Sequence, residues 1–327
     1  MRSYLIRRLI TLLLALFGIA ALMFYILRLP GDPFSERALA TNVSLKEIEK
    51  MRQEFGFDKP WYIGFWKWLI QVMKGNWGLS MTSGLPVLDE VVRRIPITLK
   101  INILSLFFTL IFAIPIGIYA ALRQYSTVDY VITTFSFFGI SMPTFWLGLM
   151  LMLIFGVFPF IYLGVKWLPI GGIMTPGMEE APFFARVLDQ AKYLILPVAT
   201  LTIHGVASYA RYMRSSLLEV IRQDYIRTAR AKGLPENKVI FKHALRNALI
   251  PMVTIFTFLL PGLIGGATIT EIIFSISGTG RMLYDAVMQS NIFLAQGALF
   301  ISAILVVISL LLADIMYALV DPRITFS

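Results

Sequence analysis

Long uncharged stretches alternate with short polar ones along most of this chain. The first runs from Leu9 to Leu27, nineteen residues without a charge, and a helix needs about 20 apolar residues to cross a bilayer. Comparable apolar runs recur at about 101–122, 131–158, 194–212, 248–270 and 293–313. The pattern therefore predicts an all-α, polytopic membrane protein with about six transmembrane helices.

Residues 1–28 are expected to form the first of these helices. Three arginines precede the apolar run, as in a secretory signal peptide, but the apolar part of a signal peptide is usually only about 7–15 residues long. The run here is longer, and no small-x-small cleavage site closes it. We therefore expect a retained N-terminal transmembrane helix whose N-terminus lies in the cytoplasm.

Residues 29–96 are expected to form an extracytoplasmic or interfacial helical segment. Nine basic and eight acidic residues lie between positions 30 and 96, and such a balance suits the outer side of a membrane. Apolar residues at helical spacing predict one helix at 44–55 and a second, rich in tryptophan, after Trp61. Tryptophan favours the headgroup level, so the second helix is expected along the interface, and packing against the protein's own spans explains the same pattern equally well.

Residues 97–327 are expected to form a core of five further helices. The run at 131–158 is predicted to be one span that kinks near Pro143, because proline interrupts helical hydrogen bonding. The span at 194–212 carries His204 at mid-depth, and the run at 248–270 contains Pro251 and Pro261. Six spans return the chain to its starting side, so both termini are expected in the cytoplasm.

The most polar part of this core is a basic segment at 213–247. From Arg211 to Arg246 the sequence has nine Lys or Arg residues and three acids, an excess typical of a cytoplasmic loop. An apolar stripe at helical spacing is expected to run down one helix through Leu217, Leu218, Ile221, Tyr225 and Thr228. Gly233 is predicted to end that helix and Pro235 to start the next. The segment thus predicts a helix–turn–helix under the membrane, with one face available to another protein.

Composition supports the membrane class and excludes several others. The chain has 327 residues, of which 57% are hydrophobic and 15% charged, whereas soluble domains carry about 25% charged residues. The net charge of +10 lies in the expected cytoplasmic loops without interleaved aromatic residues, so nucleic-acid binding is not expected. The absence of cysteine excludes disulfides and thiolate metal sites.

No motif for catalysis or for a cofactor is present. The sequence contains no phosphate-binding loop, no HExxH and no GxSxG, and its two histidines, His204 and His243, lie far apart. His204 is the one ionisable group expected near the centre of a span, while Glu271 and Asp314 are expected at span ends, where solvation costs little. We therefore expect a non-enzymatic subunit without a metal or cofactor, and uphill transport would need energy from a partner.

The basic segment also carries a family resemblance. The strings TARAKGL (228–234) and HALRNALIP (243–251) are very similar to the cytoplasmic coupling loop of ABC-importer permeases, in the form found in the B-type subunits of the dipeptide/oligopeptide (peptide/nickel) family. In the general form of that loop, Glu-Ala-Ala stands before a glycine. Arg227, Thr228 and Ala229 occupy those positions here, with Gly233 in place, so the general signature is only partly met.

Motifs along the rest of the chain extend the resemblance. YLIRRL (4–9), LPGDP (29–33), GFDKP (56–60), GNWGLS (75–80) and RIPITL (94–99) are similar to family segments. Glu271, Phe274, Gly278 and Gly280 match its E-x-x-F-x-x-x-G-x-G pattern. Two departures lie outside the basic segment: Ser277 stands where a proline is usual, and QSNIF (289–293) stands where the family has an Arg-Asp-Tyr-Pro-like string.

The resemblance implies the permease subunit of an ATP-driven peptide importer, with the type I ABC-importer permease fold, in a prokaryotic inner membrane. Its implied partners are a second, homologous permease, two cytoplasmic ATPases that hold ATP and Mg²⁺, and an extracytoplasmic peptide-binding protein. The residues expected at the ATPase contact, or fixing its geometry, are Tyr225, Arg227, Thr228, Ala229, Lys232, Gly233, Leu234, His243, Arg246, Asn247 and Pro251. The candidates for the gate or pathway are Pro143, His204, Glu271, Gly278 and Gly280.

Three other functions stay open on the sequence alone. The same architecture carries nickel chelates or glycosides in related systems. A stand-alone secondary transporter would need coupling charges inside its spans and often an internal repeat, and neither is evident. A membrane enzyme would need a convergent polar site, which His204 alone does not provide.

Overall fold

The computed structural model describes residues 2–29, 45–265 and 267–320, and this part of the chain is helical, without a regular β-sheet. The LPGDP string and residues 321–327 lie largely or wholly outside the described residues. The helices are α1 (Arg2–Ile26), α2 (Leu45–Glu54), α3 (Trp61–Met73), α4 (Val87–Leu122), α5 (Thr127–Ser141), α6 (Thr144–Met152), α7 (Phe158–Leu163), α8 (Phe183–Ile221), α9 (Asp224–Ala231), α10 (Glu236–Lys238), α11 (Leu245–Leu259), α12 (Gly262–Gly265), α13 (Thr268–Ile273), α14 (Thr279–Met288) and α15 (Ile292–Val320).

Six helical stretches in the described part are long and apolar enough to cross a membrane, as predicted. The second, α4, is 36 residues long and begins at Val87, well before the expected start of that span. The expected boundary between residues 96 and 97 therefore lies inside a continuous helix. The sequence did not indicate this start because the first residues of α4 include charged ones. A helix that extends beyond the membrane exposes polar side chains in the part outside it.

The third span differs from its prediction. Residues 131–158 do not form one kinked helix, because α5 ends at Ser141 and α6 begins at Thr144. Met142 and Pro143 between them have extended backbones, with ψ of 126° and 134°, and a residue that precedes proline is sterically kept from the helical region. The continuous apolar stretch is Thr144–Leu163, which includes a π-helical turn at Leu153–Val157.

The fifth span is also displaced from the predicted 248–270. One unbroken helical stretch runs from Glu236 through a π-helical segment, Val239–Ala244, to the end of α11 at Leu259. Pro261 and the glycines after it then leave only short helices, α12 and α13, because proline and glycine both disfavour helix continuation. The basic segment thus leads into the span without a loop.

The centre of the fold is the pairing of α4 with α8, the two longest helices, and small residues allow its closest contacts. A Cβ on Gly117 would collide with the backbone of Ala210, and a Cβ on Gly205 with Thr109. On the other side of the molecule, α15 packs on α1.

Arg8 of α1 donates to the Asp314 carboxylate of α15 at 2.6 Å, and the Asp314 side chain is 19% exposed. Asp314 therefore has a cationic partner, where the sequence suggested a freely solvated span end. The pair joins the N-terminal part of the first span to the C-terminal part of the last one.

Helix α3 packs on the C-terminal half of α1 and the N-terminal half of α15. Phe65, Trp68 and Val72 of α3 are buried among aromatic residues of those two spans. Packing against the protein's own spans is thus one correct interpretation of the tryptophan-rich pattern. The opposite face of α3 is exposed.

Candidate functional site

The basic segment has the helix–turn–helix form that its sequence predicts. Helix α8 ends at Ile221, and α9 occupies Asp224–Ala231. Gly233 follows with φ of +73°, in the left-handed region that glycine adopts at little cost. Pro235 then precedes the first helical residue of α10. Gly233 and Pro235 therefore lie at the end of one helix and the start of the next, as predicted.

The register of the expected apolar stripe is wrong beyond Ile221. Tyr225 and Thr228 are exposed, whereas Ile226 and Ala229 are buried. The reason is the break at residues 222–223, which interrupts the helix and resets which face of α9 points inward. The buried face of α9 packs against a cluster that includes Met213, Leu217, Val239 and Ala244.

The outward face of α9 carries several of the predicted contact residues. Tyr225, Arg227, Thr228 and Lys232 are all exposed. Ala229 points the other way and is only 8% exposed, so its side chain is not part of this surface. In the following helical stretch Arg246, Asn247 and Pro251 are exposed, and Leu234 and His243 are half-buried.

Two polar contacts hold α9 against the start of the next helical stretch. Arg230 forms a two-pronged ion pair with the Glu236 carboxylate, whose shortest N–O distance is 2.6 Å. Hydrogen bonding to that carboxylate raises the pKa of Arg230 above its ordinary value. Asn247 donates to the Tyr225 hydroxyl at 2.9 Å. The exposed face is therefore presented by a short helix that is fixed at several points.

An ion pair beside this segment was not anticipated. The Arg214 guanidinium of α8 donates to both Asp129 oxygens, at 2.6 and 2.7 Å, and the Asp129 side chain is only 3% exposed. The backbone N–H of Tyr125 donates to the same carboxylate at 3.0 Å. These hydrogen bonds, Arg214 first, lower the pKa of Asp129. The one signal of this ion pair in the sequence was Asp129 itself, an acidic residue at the end of the short hairpin that follows an apolar run.

Glu271 lies in a second polar cluster, at the N-terminus of α14. Its side chain is 1% exposed, so the expectation of a solvated span end is wrong. The Thr98 hydroxyl donates to Oε1 at 2.6 Å, and the backbone N–H of Arg281 donates to Oε2 at 2.8 Å. The carboxylate thus caps α14, where a negative charge is favoured by the helix dipole.

The two motif glycines surround this carboxylate. A Cβ on Gly278 would collide with the Glu271 carboxyl group, and a Cβ on Gly280 would collide with Thr268. Phe274 of the same motif is buried, and its carbonyl accepts the Gly172 N–H at 2.8 Å. In this structure, the residues of the E-x-x-F-x-x-x-G-x-G pattern therefore pack the Glu271 carboxylate between α4 and α14.

The remaining gate candidates lie elsewhere. Pro143 caps α6 at the break after α5. His204 lies in α8, and its Nδ1 atom is buried without a hydrogen-bond partner. No hydrogen bond among the described residues joins His204 to Glu271, so the structure does not gather the predicted gate residues into one site.

A groove of about 660 Å³ opens between α4, α5 and α8. Its lining is almost wholly apolar and aromatic, with Phe108, Phe112, Phe135, Ile195 and Ile203 among its side chains. Among the lining residues, Ser136 and Thr202 have polar side chains. Over the described residues no three His, Asp or Glu side chains come close enough together to hold a metal ion.

Comparison with known proteins covers the whole chain. Residues 113–326 match the family described as "binding-protein-dependent transport system inner membrane component", and residues 1–102 match the N-terminal region described for such membrane components. The first match alone covers more than half of the chain.

Curated relatives are similar over their full lengths. The oligopeptide transport system permease protein AppB of Bacillus subtilis is 39% identical over 328 residues, covering 100% of both chains. The di/tripeptide transport system permease protein DppB of Pseudomonas aeruginosa is 36% identical over 338 residues, covering 99% of both. The glutathione transport system permease protein GsiC of Escherichia coli is 35% identical over 327 residues, covering 100% of both.

A solved structure shares the fold. A chain of the MetNI methionine ABC transporter, described in inward-facing conformations, has a TM-score of 0.52 at 20% sequence identity. The similarity covers 71% of this chain and 96% of that one. With six apolar helices in an ABC-importer permease fold and full-length similarity to permease proteins, the chain belongs to the family of binding-protein-dependent transport system inner membrane components.

Proposed function

We propose that the chain is the permease subunit of an ATP-driven ABC importer for di- or oligopeptides, and that it forms half of the translocation pathway. Permease proteins named for oligopeptides and di/tripeptides are similar to it from end to end, which favours peptides over a nickel chelate or a glycoside. The observation that carries the proposal is the exposed face of α9 on a strongly basic segment next to the membrane.

The exposed face of α9 is the proposed contact with an ATPase. Tyr225, Arg227, Thr228 and Lys232 would rest on the surface of the ATPase. Gly233 would set the angle between α9 and the helical stretch that follows it, and the Arg230–Glu236 pair would keep that angle fixed. Ala229 and Leu234 would hold α9 to the core from inside.

The helical stretch after α9 would transmit the movement. Arg246, Asn247 and Pro251 lie on the exposed side of the helix that continues into the fifth span, and His243 lies in its π-helical turn. Because no loop separates this helix from the membrane, a push on α9 would act on the span directly.

The partners follow from this role. A second, homologous permease would supply the other half of the pathway, two cytoplasmic ATPases would bind ATP and Mg²⁺, and an extracytoplasmic protein would deliver the peptide. The chain itself would be non-catalytic and bind no cofactor. Its basic segment would lie in the cytoplasm, with both termini on that side of a prokaryotic inner membrane.

The pathway would run along the apolar groove between α4, α5 and α8. The break at Pro143 would allow α5 and α6 to change their relative angle. His204 lies on α8, one of the helices that line the groove, and its buried, unpartnered Nδ1 would become available to a polar solute only if α8 moved relative to its neighbours. Glu271, Gly278 and Gly280 would act indirectly, by holding the outer ends of α4 and α14 together.

Site-directed cross-linking tests the contact. The chain has no cysteine, so a single one at Thr228, on the exposed face of α9, can be coupled to a photoreactive group in membranes that contain the whole transporter. Asn237, exposed nine positions later on α10, is the matched control. We expect Thr228→Cys to capture an ATPase with a phosphate-binding loop, identified by mass spectrometry.

Two results would contradict the proposal. Capture of the ATPase from Asn237 but not from Thr228 would place the contact on a different face. Peptide uptake by the purified chain alone, with no ATPase present, would instead indicate a self-sufficient transporter.

A further inference from the structure

Helix α3 is apolar on two opposite faces. One face, with Gly64, Phe65, Trp68 and Val72, is buried against α1 and α15. The other face carries large apolar side chains three or four positions apart, and they are 41% to 80% exposed. This exposed stripe consists of Tyr62, Ile63, Trp66, Ile70 and Met73. A helix that is apolar all round is stable only when protein or lipid covers it.

Ring contacts between α3 and α1 set the depth of the stripe. At one end Trp61 lies against Tyr25, with ring centroids 5.4 Å apart, close to the outer end of the apolar stretch Ile6–Ile26. Farther along α3, Trp66 lies against Phe17 at 5.6 Å. Phe17 precedes Tyr25 by eight positions, which corresponds to about 12 Å along a helix. Trp68, two positions after Trp66, lies against Phe24 at 5.8 Å, so α3 crosses α1 obliquely. Within the stripe, the ring of Trp66 therefore reaches below the outer end of a membrane-spanning helix.

The polar side chains of α3 do not interrupt the stripe. The Lys67 amine donates to the backbone carbonyl of Gln53 at 3.2 Å, and the Gln71 side chain accepts from Asn76 at 3.2 Å. Both groups thus find partners outside the stripe, at the end of α2 and in the turn after α3. No acid or base lies in the stripe itself, as expected for a surface that faces hydrocarbon rather than a charged headgroup.

The stripe is also continuous with the exposed surface of α1. Phe17 and Trp66 touch, and both side chains are about half exposed, so they belong to one apolar surface. That surface continues on α1 through Leu13 and Leu14, which are more than half exposed on a helix that spans the membrane. Lipid hydrocarbon is what covers such a surface at this depth.

We propose that α3 is embedded in the outer leaflet of the bilayer and that its exposed stripe binds lipid acyl chains. It would thereby anchor the segment between α1 and α4 in the membrane, although α3, at 13 residues, is too short to span it. The segment expected to be extracytoplasmic is then partly intramembrane. A soluble partner would not reach Trp66 at the depth of Phe17.

Spin labelling tests this location. In the full-length chain, reconstituted in phospholipid bilayers, a nitroxide is attached to a single cysteine in Ile70→Cys. Matched controls are Leu14→Cys on the outer surface of α1 and Lys59→Cys in the exposed turn before α3. Power-saturation spectroscopy then compares collisions with oxygen, which partitions into hydrocarbon, and with nickel-EDDA, which stays in water.

We expect the label at Ile70 to match the one at Leu14, with high oxygen and low nickel-EDDA accessibility. Accessibility to nickel-EDDA equal to that at Lys59 would place the stripe in water and overturn the proposal. Low accessibility to both reagents would mean that protein covers the stripe, and this would overturn it too.

A second measurement needs no label. Quenching of tryptophan fluorescence by lipids brominated on their acyl chains is compared between the unmodified chain and Trp66→Phe. We expect the substitution to remove a strongly quenched component. An unchanged quenched fraction would show that Trp66 is not in contact with acyl chains.

Discussion

The hydroxyl of Thr98 joins Glu271 to the start of α14. It donates to the Glu271 carboxylate at 2.6 Å and accepts the backbone N–H of Thr279 at 2.8 Å. Thr98 and Glu271 are separated by 173 positions in the chain, and both are buried. One side chain of α4 thereby fixes two segments that precede the last span.

Replacing this hydroxyl tests the contact. Thr98→Val keeps the side-chain shape but leaves one carboxylate oxygen and one N–H unpaired, at a cost of about 1–3 kcal/mol. We expect a lower unfolding temperature for the detergent-solubilised protein. Thr200→Val is the control, because that buried hydroxyl bonds only to its own helix, at Leu196. Equal losses in the two variants would argue against a special role for Thr98.

Adding one methyl group at Gly278 tests the same cluster from another side. The Cβ of Gly278→Ala would overlap the Glu271 carboxyl group, so α14 and the carboxylate must separate. Overpacking of this kind typically costs about 1–3 kcal/mol. Gly18→Ala, at a helical position with open space around it, should change thermal stability little. A Gly278→Ala protein as stable as Gly18→Ala would contradict the tight packing of Gly278 on the Glu271 carboxylate.

The Asp129–Arg214 pair can be tested by exchanging its two charges, which should recover part of the stability lost in the single variants. Asp129→Asn leaves the guanidinium without its carboxylate, and hydrogen bonds to charged groups contribute about 1.5–3 kcal/mol. We expect lower thermal stability in Asp129→Asn and in Arg214→Gln. The double variant Asp129→Arg/Arg214→Asp should recover part of the loss. Purely additive losses in the double variant would show that the two residues act separately.

For comparison, Glu236→Gln breaks the Arg230–Glu236 pair, which is exposed on the basic segment. Exposed ion pairs contribute only about 0–1 kcal/mol, so stability should be nearly unchanged. The difference between the two pairs follows from the burial of Asp129.

The turn at Gly233 predicts a loss of coupling without a loss of folding. Proline requires a negative φ and cannot take the +73° of this residue, so Gly233→Pro must redirect α9. We expect the protein to reach the membrane and peptide uptake to fall, while ATP hydrolysis by the assembled transporter continues. Uptake and ATPase rates are measured on the same proteoliposomes.

Gly177→Pro is the matched control. Gly177 also has a positive φ, +89°, and open space around it, but it lies in the loop before α8. Normal peptide uptake by Gly233→Pro would contradict a role for this turn in coupling. An equal loss of uptake in Gly177→Pro would show that the effect is not specific to the turn at Gly233.

Local signals were enough to predict most of the structure of the basic segment. Gly233 and Pro235 act through their own backbone preferences, so their positions give the turn directly. The break at residues 222–223 was missed because arginine and glutamine are good helix formers, and tertiary packing of Ile226 rather than propensity decides the register there.

Contacts between distant parts of the chain were not predictable in this way. The burial of Glu271 depends on Thr98, and that of Asp129 on Arg214, 85 positions away. Nothing next to either carboxylate in the sequence indicates its partner. The prediction at Pro143 was partly correct. The position of the break was predicted, but the helix was expected to kink there and instead ends.

The length of α8 has a mechanical consequence. Its 39 residues correspond to roughly 58 Å at 1.5 Å per residue, nearly twice the thickness of the hydrocarbon core. One end follows the loop before Phe183, and the other leads into α9. If a helix of this length tilted as one body by roughly 10° about its midpoint, each end would move by about 5 Å, roughly one helical turn. A small displacement at the α9 end would then produce an equal and opposite displacement at the other end of α8.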